Sequence, residues 1–335
     1  MKMQTKLASA LLACFVSSSV LAATVLKLGH IAEATNPYGK GADHFAELVK
    51  QKSKGDIEIK VFPSSSLGTQ KELIEGLIYG TVDMTLTGTA ELGTFQPQMA
   101  IFDMPFLFKD RAHAYKALDT VGMELAKPLE AKGLKMLGYM ENGIRHMTNN
   151  TRPIKAPSDM KGLKIRTMGL ESHKSVVSSV GGQPVAINWA EVYTSLQTGV
   201  ADGQMNPIPI VKFAKFDEVQ KYLTLTNHLF TPYVWIVNKS FFDGLSAAEK
   251  DVVKAAARSA IVACRGINRI IEASDRGLPA LAQKMQVYTP TAAEIAKFRE
   301  LAQPAVKAQI AKSFGAEGEA LMKEFLAAVD KAAKN

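Results

Sequence analysis

Residues 25–62 read VLKLGHIAEATNPYGKGADHFAELVKQKSKGDIEIKVF, and this stretch decides the fold class. Apolar and polar residues alternate at 25–30 and again at 57–62, which is the pattern of a half-buried β-strand. Between them, Phe45, Leu48 and Val49 recur at helical spacing before a stop at Gly55. A strand, a helix and a strand in succession predict a βαβ unit with a parallel strand pair and a right-handed crossover.

The same alternation of strand and helix patterns continues along the chain and predicts an α/β fold with helices on both faces of a mostly parallel sheet. The further predicted strands are 82–87, 135–140, 162–166, 185–187 and 233–237. The further predicted helices are 69–79, 110–131, 170–180, 190–199 and 246–271. The last of these has almost no breaker and, at about 25 residues, would measure about 38 Å. A second block of the fold begins near Gly143, and residues 203–207 are predicted as a loop.

The length and composition are those of an ordinary globular chain. The 335 residues are 47% hydrophobic and 21% charged, which predicts about two domains and excludes a disordered chain. Lys and Arg outnumber Asp and Glu by 40 to 32. The basic residues do not run together and aromatic residues do not interleave with them, so we expect a solvated surface and no nucleic-acid partner.

Residues 1–22 have the pattern of a secretory signal peptide, with a basic start, a short apolar run and a small-residue exit. We predict cleavage after Ala22 and export of the remaining chain. The alternatives are a membrane anchor and a lipoprotein in which Cys14 is lipidated. Cleavage after Ala22 leaves Cys264 as the single cysteine, so the fold must rest on a packed core without an internal disulfide.

Motifs that carry catalytic or metal chemistry are absent from the sequence. The six histidines lack the spacing of an H-E-x-x-H zinc site, and there is no G-x-S-x-G nucleophile motif. The glycine pair at Gly39 and Gly41 lacks the third glycine of a dinucleotide-binding loop. We therefore predict that the protein is not an enzyme and has no metal, cofactor or catalytic residue.

Four residues are candidates for ligand binding. Arg166 ends a predicted strand, where its guanidinium fork can hold a carboxylate in a bidentate pair; the alternative is a surface arginine paired with an acid. Arg145 ends the preceding strand. It either adds positive charge to the site or stabilises the hinge where the chain crosses between the two blocks. Asn206 precedes Pro207 in the predicted loop and is either a polar ligand contact or a turn residue. Trp189 stands before a helix and either lines a cleft or packs in the core.

The run GLKIRTM at 162–168, followed by VGGQPVAINWAEVYTSLQTGVADGQMNP at 180–207, resembles the solute-binding proteins of TRAP transporters. This is the tripartite ATP-independent periplasmic family of DctP type. The opening LKLGHIAEATNPYGKGADHFAELVKQKSKGDIEIKVFPSSSLGTQKELIEGLIYGTVDM at 26–84 is also similar to the family, as is TNHLFTPYVWIVNKSFF at 226–242. The resemblance covers nearly all of the chain after the signal peptide.

The resemblance implies a two-lobed periplasmic-binding-protein clamshell with mixed, mostly parallel sheets and one long helix spanning both lobes. Lobe I is expected at 23–143 plus about 231–271, and lobe II at about 144–230 plus about 272–335, with a ligand cleft between them. The implied function is capture of a small carboxylate in the periplasm and its delivery to the TRAP membrane permease subunits. We expect a monomer.

By position, the family's carboxylate clamp falls on Arg166, its second cleft arginine on Arg145, its cleft asparagine on Asn206 and its aromatic wall on Trp189. Residues near Glu33 and Thr89 are expected to contact the remainder of the ligand.

The sialic-acid branch of the family has an acidic residue where this chain has Gly88 and Thr89, so the sequence argues against sialic acid. Dicarboxylates, sugar acids, 2-oxo acids and aromatic acids stay open as ligands. The alternative functions are a periplasmic hydrolase or lyase on a two-lobed scaffold, and a binding protein for an ATP-driven importer or a sensor.

Overall fold

A computed structural model of the protein describes residues 23–315 and 318–333. The predicted signal peptide, its cleavage point and Cys14 lie outside these residues. Across the described ranges, every helix is too short or too polar to cross a lipid bilayer.

The chain alternates strands and helices as predicted, and all strands belong to one mixed sheet in the order β2-β1-β3-β8-β4-β7-β5-β6, with β9 beside β8. The strands are β1 Thr24–Gly29, β2 Ile57–Phe62, β3 Met84–Gly88, β4 Leu134–Asn149, β5 Lys164–Thr167, β6 Gln183–Ala186, β7 Gly203–Pro207, β8 Tyr222–Asn238 and β9 Gln286–Tyr288. The helices are α1 Pro37–Lys52, α2 Gln70–Tyr79, α3 Thr89–Phe95, α4 Arg111–Ala117, α5 Met123–Leu125, α6 Glu171–Ser178, α7 Val192–Gln197, α8 Ile208–Phe213, α9 Lys239–Gly244, α10 Ala247–Ala273, α11 Leu278–Ala282, α12 Ala292–Ser313 and α13 Gly318–Ala332.

The βαβ unit predicted at 25–62 is confirmed. Strands β1 and β2 pair in parallel over their full length, and α1 forms the crossover between them. Side chains on the two faces of the sheet enter different apolar clusters. In β8, for example, Trp235 and Val237 pack with α1 and α10, whereas Val234 and Ile236 pack on the other face. This alternation is why helices cover both faces of the sheet.

Two long strands connect the two halves of the sheet. Strands β4 and β8, of 16 and 17 residues, pair antiparallel from Leu134 opposite Asn238 to Asn149 opposite Tyr222. At one end β8 also pairs with β3, and at the other end β4 pairs with β7. The ladder has register shifts near Gly138 and Gly143.

The sequence analysis predicted short strands here and a loop at 203–207, and this prediction was wrong. Gly138 and Gly143 adopt φ of +152° and +125°, so both glycines bend β4 at bulges instead of ending it. As a result Arg145 lies inside β4 and Asn206 lies inside β7, whereas a strand end and a loop were predicted.

The predicted long helix is α10, which runs for 27 residues from a capping box formed by Ser246 and Glu249. It packs against α1 and β4. Gly41 of α1 allows this close approach, because a Cβ atom there would lie 2.3 Å from Met140 and 3.3 Å from Cys264. The helix therefore lies directly on β4, one of the two strands that cross between the halves of the sheet.

Candidate ligand-binding site

Arg166 is held by backbone at the carboxyl end of β5. Its side chain is buried, and Nε and Nη2 donate to the carbonyl oxygen of Ile187 at 3.0 and 2.8 Å. The guanidinium carbon lies 5.9 Å from the ring centre of Trp189. Because the Nε side is occupied, the end-on edge formed by Nη1 and Nη2 is the one left for a ligand.

Arg145 is buried deeper, on β4. Its Nε donates to Thr231 Oγ1 at 2.7 Å, and Nη1 donates to the carbonyl oxygen of Met205 at 2.5 Å and to Asn206 Oδ1 at 2.9 Å. Asn206 in turn donates to Gln204 Oε1 at 2.5 Å. The asparagine therefore fixes the orientation of the arginine.

The two arginines place positive charge in a dry environment. Over the described ranges, no carboxylate oxygen lies within 4.0 Å of either guanidinium. Burial lowers the pKa of Arg166 to about 9, with Arg145 adding to the shift, and burial lowers the pKa of Arg145 to about 10 against the opposing charge of Asp103. Both guanidinium groups remain protonated at neutral pH. An anion in the cleft would supply the negative charge that their surroundings do not provide.

A cleft with a narrow deep end and a wide mouth opens beside Arg166. The deep end measures about 30 Å³ and the mouth about 630 Å³. Both are lined by Ile31, Gln70, Arg166, Met168 and Trp189. Arg166 therefore lies at the junction, where a ligand entering from the mouth would meet its free edge.

The sequence of the chain matches the profile of the DctP family, described as bacterial extracellular solute-binding protein, family 7, over residues 28–313. The chain belongs to this family. The predicted family is thus confirmed, and with it a role as a TRAP solute-binding receptor rather than an enzyme. Members of the family are periplasmic.

Relatives of this DctP-family protein include the 2,3-diketo-L-gulonate-binding periplasmic protein of Escherichia coli strain K12. The two are 42% identical over 250 residues, which are 74% of this chain and 76% of the relative. A sugar acid binding protein from Advenella mimigardefordensis, solved with galactonate, is 35% identical with a TM-score of 0.86, over 93% of this chain and 99% of that one. A TRAP periplasmic solute binding protein from a Polaromonas species, bound to D-erythronate, is 42% identical with a TM-score of 0.83, over 89% and 98%. The two-lobed α/β fold is thereby confirmed.

The structure of this DctP-family receptor brings four of the six predicted site residues together. Arg166, Arg145, Asn206 and Trp189 all line the deep end of the cleft. Glu33 lies in an adjoining surface pocket of about 220 Å³, which Trp189 also lines.

The sixth predicted residue, Thr89, is fully buried, and its Oγ1 donates to Asp103 Oδ1 at 3.4 Å. Burial raises the pKa of Asp103 to about 7, and the charge of Arg145 opposes this shift. Thr89 is therefore not among the residues that line the cleft, and it contacts Asp103 instead.

The receptor's cleft also has a polar wall that the sequence analysis missed. Gln70, Tyr38 and Tyr233 also line the deep end, and the two tyrosine rings stack at 4.4 Å between centres. A signal for Gln70 existed, because Thr69 and Glu72 form a capping box that starts α2 at Gln70. The first residue of a helix after a parallel strand lies at the edge of the sheet where ligands bind.

Proposed function

We propose that this receptor captures a small carboxylate of the sugar-acid class in the periplasm and delivers it to a TRAP permease. It acts as a monomer and has no nucleic-acid partner. The observation that carries the proposal is the free end-on edge of Arg166, buried at the junction of the two parts of the cleft. A carboxylate accepts two parallel N–H bonds from such an edge, and Trp189 covers the guanidinium face.

The sugar-acid class is supported by what the relatives bind. 2,3-Diketo-L-gulonate, galactonate and D-erythronate each join a carboxylate to a chain of hydroxyl or keto oxygens. In this chain, Asn142, Tyr38 and Gln70 offer polar atoms along the cleft beyond the carboxylate position. An aromatic acid would leave these groups unpaired, at a cost for each buried polar atom.

Contacts from both halves of the sheet are needed to enclose the ligand. Arg166 and Trp189 belong to the half that contains β5 to β7, whereas Gln70 and Tyr38 belong to the half that contains β1 to β3. A ligand that touches both halves binds the closed state more tightly and shifts the population towards it. Glu33 contacts the part of the ligand nearest the mouth of the cleft. Thr89 influences Arg145 through the charge of Asp103.

A thermal-shift panel of D-galactonate, D-erythronate, succinate and benzoate tests the ligand class. A ligand that binds only the folded protein stabilises it by about 2.7 kcal/mol at a concentration of 100 Kd. We expect the two sugar acids to raise the melting temperature most.

Titration calorimetry with the best acid then tests the clamp. Arg166→Ala is expected to weaken binding by about 2 to 5 kcal/mol, because the buried carboxylate loses its partner. Arg152→Ala is the matched control, since Arg152 also donates to carbonyl oxygens, of Asp159 and Lys161, but is not among the residues that line the cleft. Equal affinity of the Arg166→Ala variant and the wild-type protein would refute the proposal.

A further inference from the structure

The amide of Gln70 has a fixed orientation. Three donors converge on one atom of its side chain: Thr87 Oγ1 at 2.9 Å, the backbone nitrogen of Gly88 at 2.9 Å and the Tyr233 hydroxyl at 3.2 Å. An atom that accepts three hydrogen bonds must be the oxygen, Oε1. The amide nitrogen therefore has two N–H donors, and no group in the described residues accepts from them. Since Gln70 lines both parts of the cleft, a ligand is the acceptor available to them.

Glu91 supplies the complementary acceptor. Its side chain is half-buried and lines the mouth of the cleft together with Gln70 and Arg166. Within the described ranges its carboxylate makes no hydrogen bond and no ion pair. Burial raises its pKa, while the charges of Lys71 and Arg166 lower it, so the positive charge of Arg166 reaches this carboxylate.

The other charged groups at the mouth are already engaged or lie at the surface. Lys71 pairs with Glu75 at 3.8 Å, and Glu72 accepts from Thr69 in the capping box. Glu191 is exposed. Glu91 is therefore the acid at the mouth whose carboxylate is available to contact a molecule held by Arg166.

We propose that Gln70 and Glu91 form a subsite that recognises a hydroxyl group, so that the receptor selects a hydroxylated monocarboxylate and rejects a dicarboxylate. A hydroxyl is both acceptor and donor, so it accepts from the Gln70 amide and donates to the Glu91 carboxylate. A second carboxylate has no proton to give at neutral pH and meets the like charge of Glu91. This inference rests on the proposed function, because it takes Arg166 as the position of the first carboxylate.

Glu91→Gln tests the rejection, measured by calorimetry at pH 7.5 with D-galactonate and succinate. We expect the wild-type protein to prefer galactonate by about a hundredfold or more, since like-charge contacts are strongly unfavourable. In Glu91→Gln the preference falls by about tenfold or more, because succinate gains affinity. Glu75→Gln is the matched control, since it removes the same charge from the same mouth, and it should keep the wild-type preference.

Gln70→Glu tests the donor. This variant keeps an oxygen for Thr87, Gly88 and Tyr233 but replaces the N–H donors with an acceptor. It should therefore fold normally and lose about tenfold or more of its galactonate affinity. Unchanged galactonate affinity in a folded Gln70→Glu protein would overturn the donor role.

The two proposals fail in different ways. If the wild-type protein binds galactonate through Arg166 but Glu91→Gln behaves like Glu75→Gln, the subsite is wrong and the proposed function stands. Equal wild-type affinity for succinate and galactonate would overturn the subsite and the preference for sugar acids, and would leave the carboxylate clamp of Arg166 standing. If the wild-type protein binds neither acid, both proposals are overturned.

Discussion

Two arginines near the crossing strands, the half-buried Arg111 and the buried Arg166, have opposite surroundings. Arg111 donates to Glu141 Oε1 at 3.0 Å and also pairs with Glu272. It thereby connects α4 to the bulged part of β4 and to the last turn of α10. Arg166 donates to a carbonyl oxygen and faces an aromatic ring, with no acid in contact within the described residues.

The pKa values of the two groups reflect this difference. Burial lowers the pKa of Arg111, but the charges of Glu272 and Glu141 outweigh it and leave the pKa above its ordinary value. Burial lowers the pKa of Arg166 to about 9 because no comparable acid opposes it. An arginine that is neutralised by neighbouring acids, such as Arg111, stabilises the fold. A buried arginine without a neighbouring acid, such as Arg166, can bind an anion.

The largest expected effect on stability is that of Arg111→Met. The change leaves Glu141, which is fully buried, without its cation, and it should lower the free energy of unfolding by about 3 to 5 kcal/mol. Urea unfolding at pH 7 measures this loss. Arg276→Met, at an exposed position, is the control and should stay within about 0.5 kcal/mol. If the two variants were equally stable, the ion pairs of Arg111 would not stabilise the fold.

Asp103→Asn tests whether the carboxylate of Asp103 neutralises the charge of Arg145 in the binding site. The pKa of Asp103 is raised to about 7, so between its ordinary value and pH 7 the native state holds a proton that the unfolded state has lost. Its contribution to stability is full below about pH 4 and is lost as the pH rises through 7. Relative to the wild-type protein, the Asn variant should gain about 4 kcal/mol between pH 4 and pH 8 in urea unfolding.

The opposite result for Asp103→Asn would break the comparison. A variant that loses stability relative to the wild-type protein between pH 4 and pH 8 would show that folding favours the ionised form of Asp103, so that Asp103 acts as the charge partner of Arg145. The surroundings of Arg111 and of the binding-site arginines would then differ only in how much negative charge they supply.

Arg166→Met is expected to have the smallest effect on the ligand-free protein. Replacing a desolvated charge with an apolar side chain of similar length is often neutral, and the lost bonds to Ile187 offset the gain. The free energy of unfolding should stay within about 1 kcal/mol of the wild-type value. A loss as large as that of Arg111→Met would mean that Arg166 is a structural residue.

The features that could be predicted from the sequence are those encoded by neighbouring residues. The βαβ unit followed from local periodicity, and α10 followed from an uninterrupted helical pattern. The length of β8 was underestimated because Pro232 directly precedes the predicted segment, and the length of β4 because Gly138 and Gly143 are locally strand-breaking residues. Only pairing with a distant strand shows that these glycines are bulges.

The site shows the same division between local and distant information. Arg166 could be found because the end of a strand is a local property. The role of Gln70 depends on Thr87 and Tyr233, and Arg111 and Glu272 are 161 positions apart. No local pattern distinguishes an arginine that has an acid beside it from one that does not.

The antiparallel ladder of β4 and β8 has a consequence for how the molecule folds. β3 is hydrogen-bonded to the same β8 that continues into the other half of the sheet, and β7 is bonded to the same β4. Separating the two halves would divide the central strands β4 and β8, leave β3 and β7 as new edge strands and expose their backbone groups. We therefore expect the two halves to unfold in a single cooperative transition. The two halves that would enclose the ligand in the proposed function are, by this connection, expected to form one unit of folding.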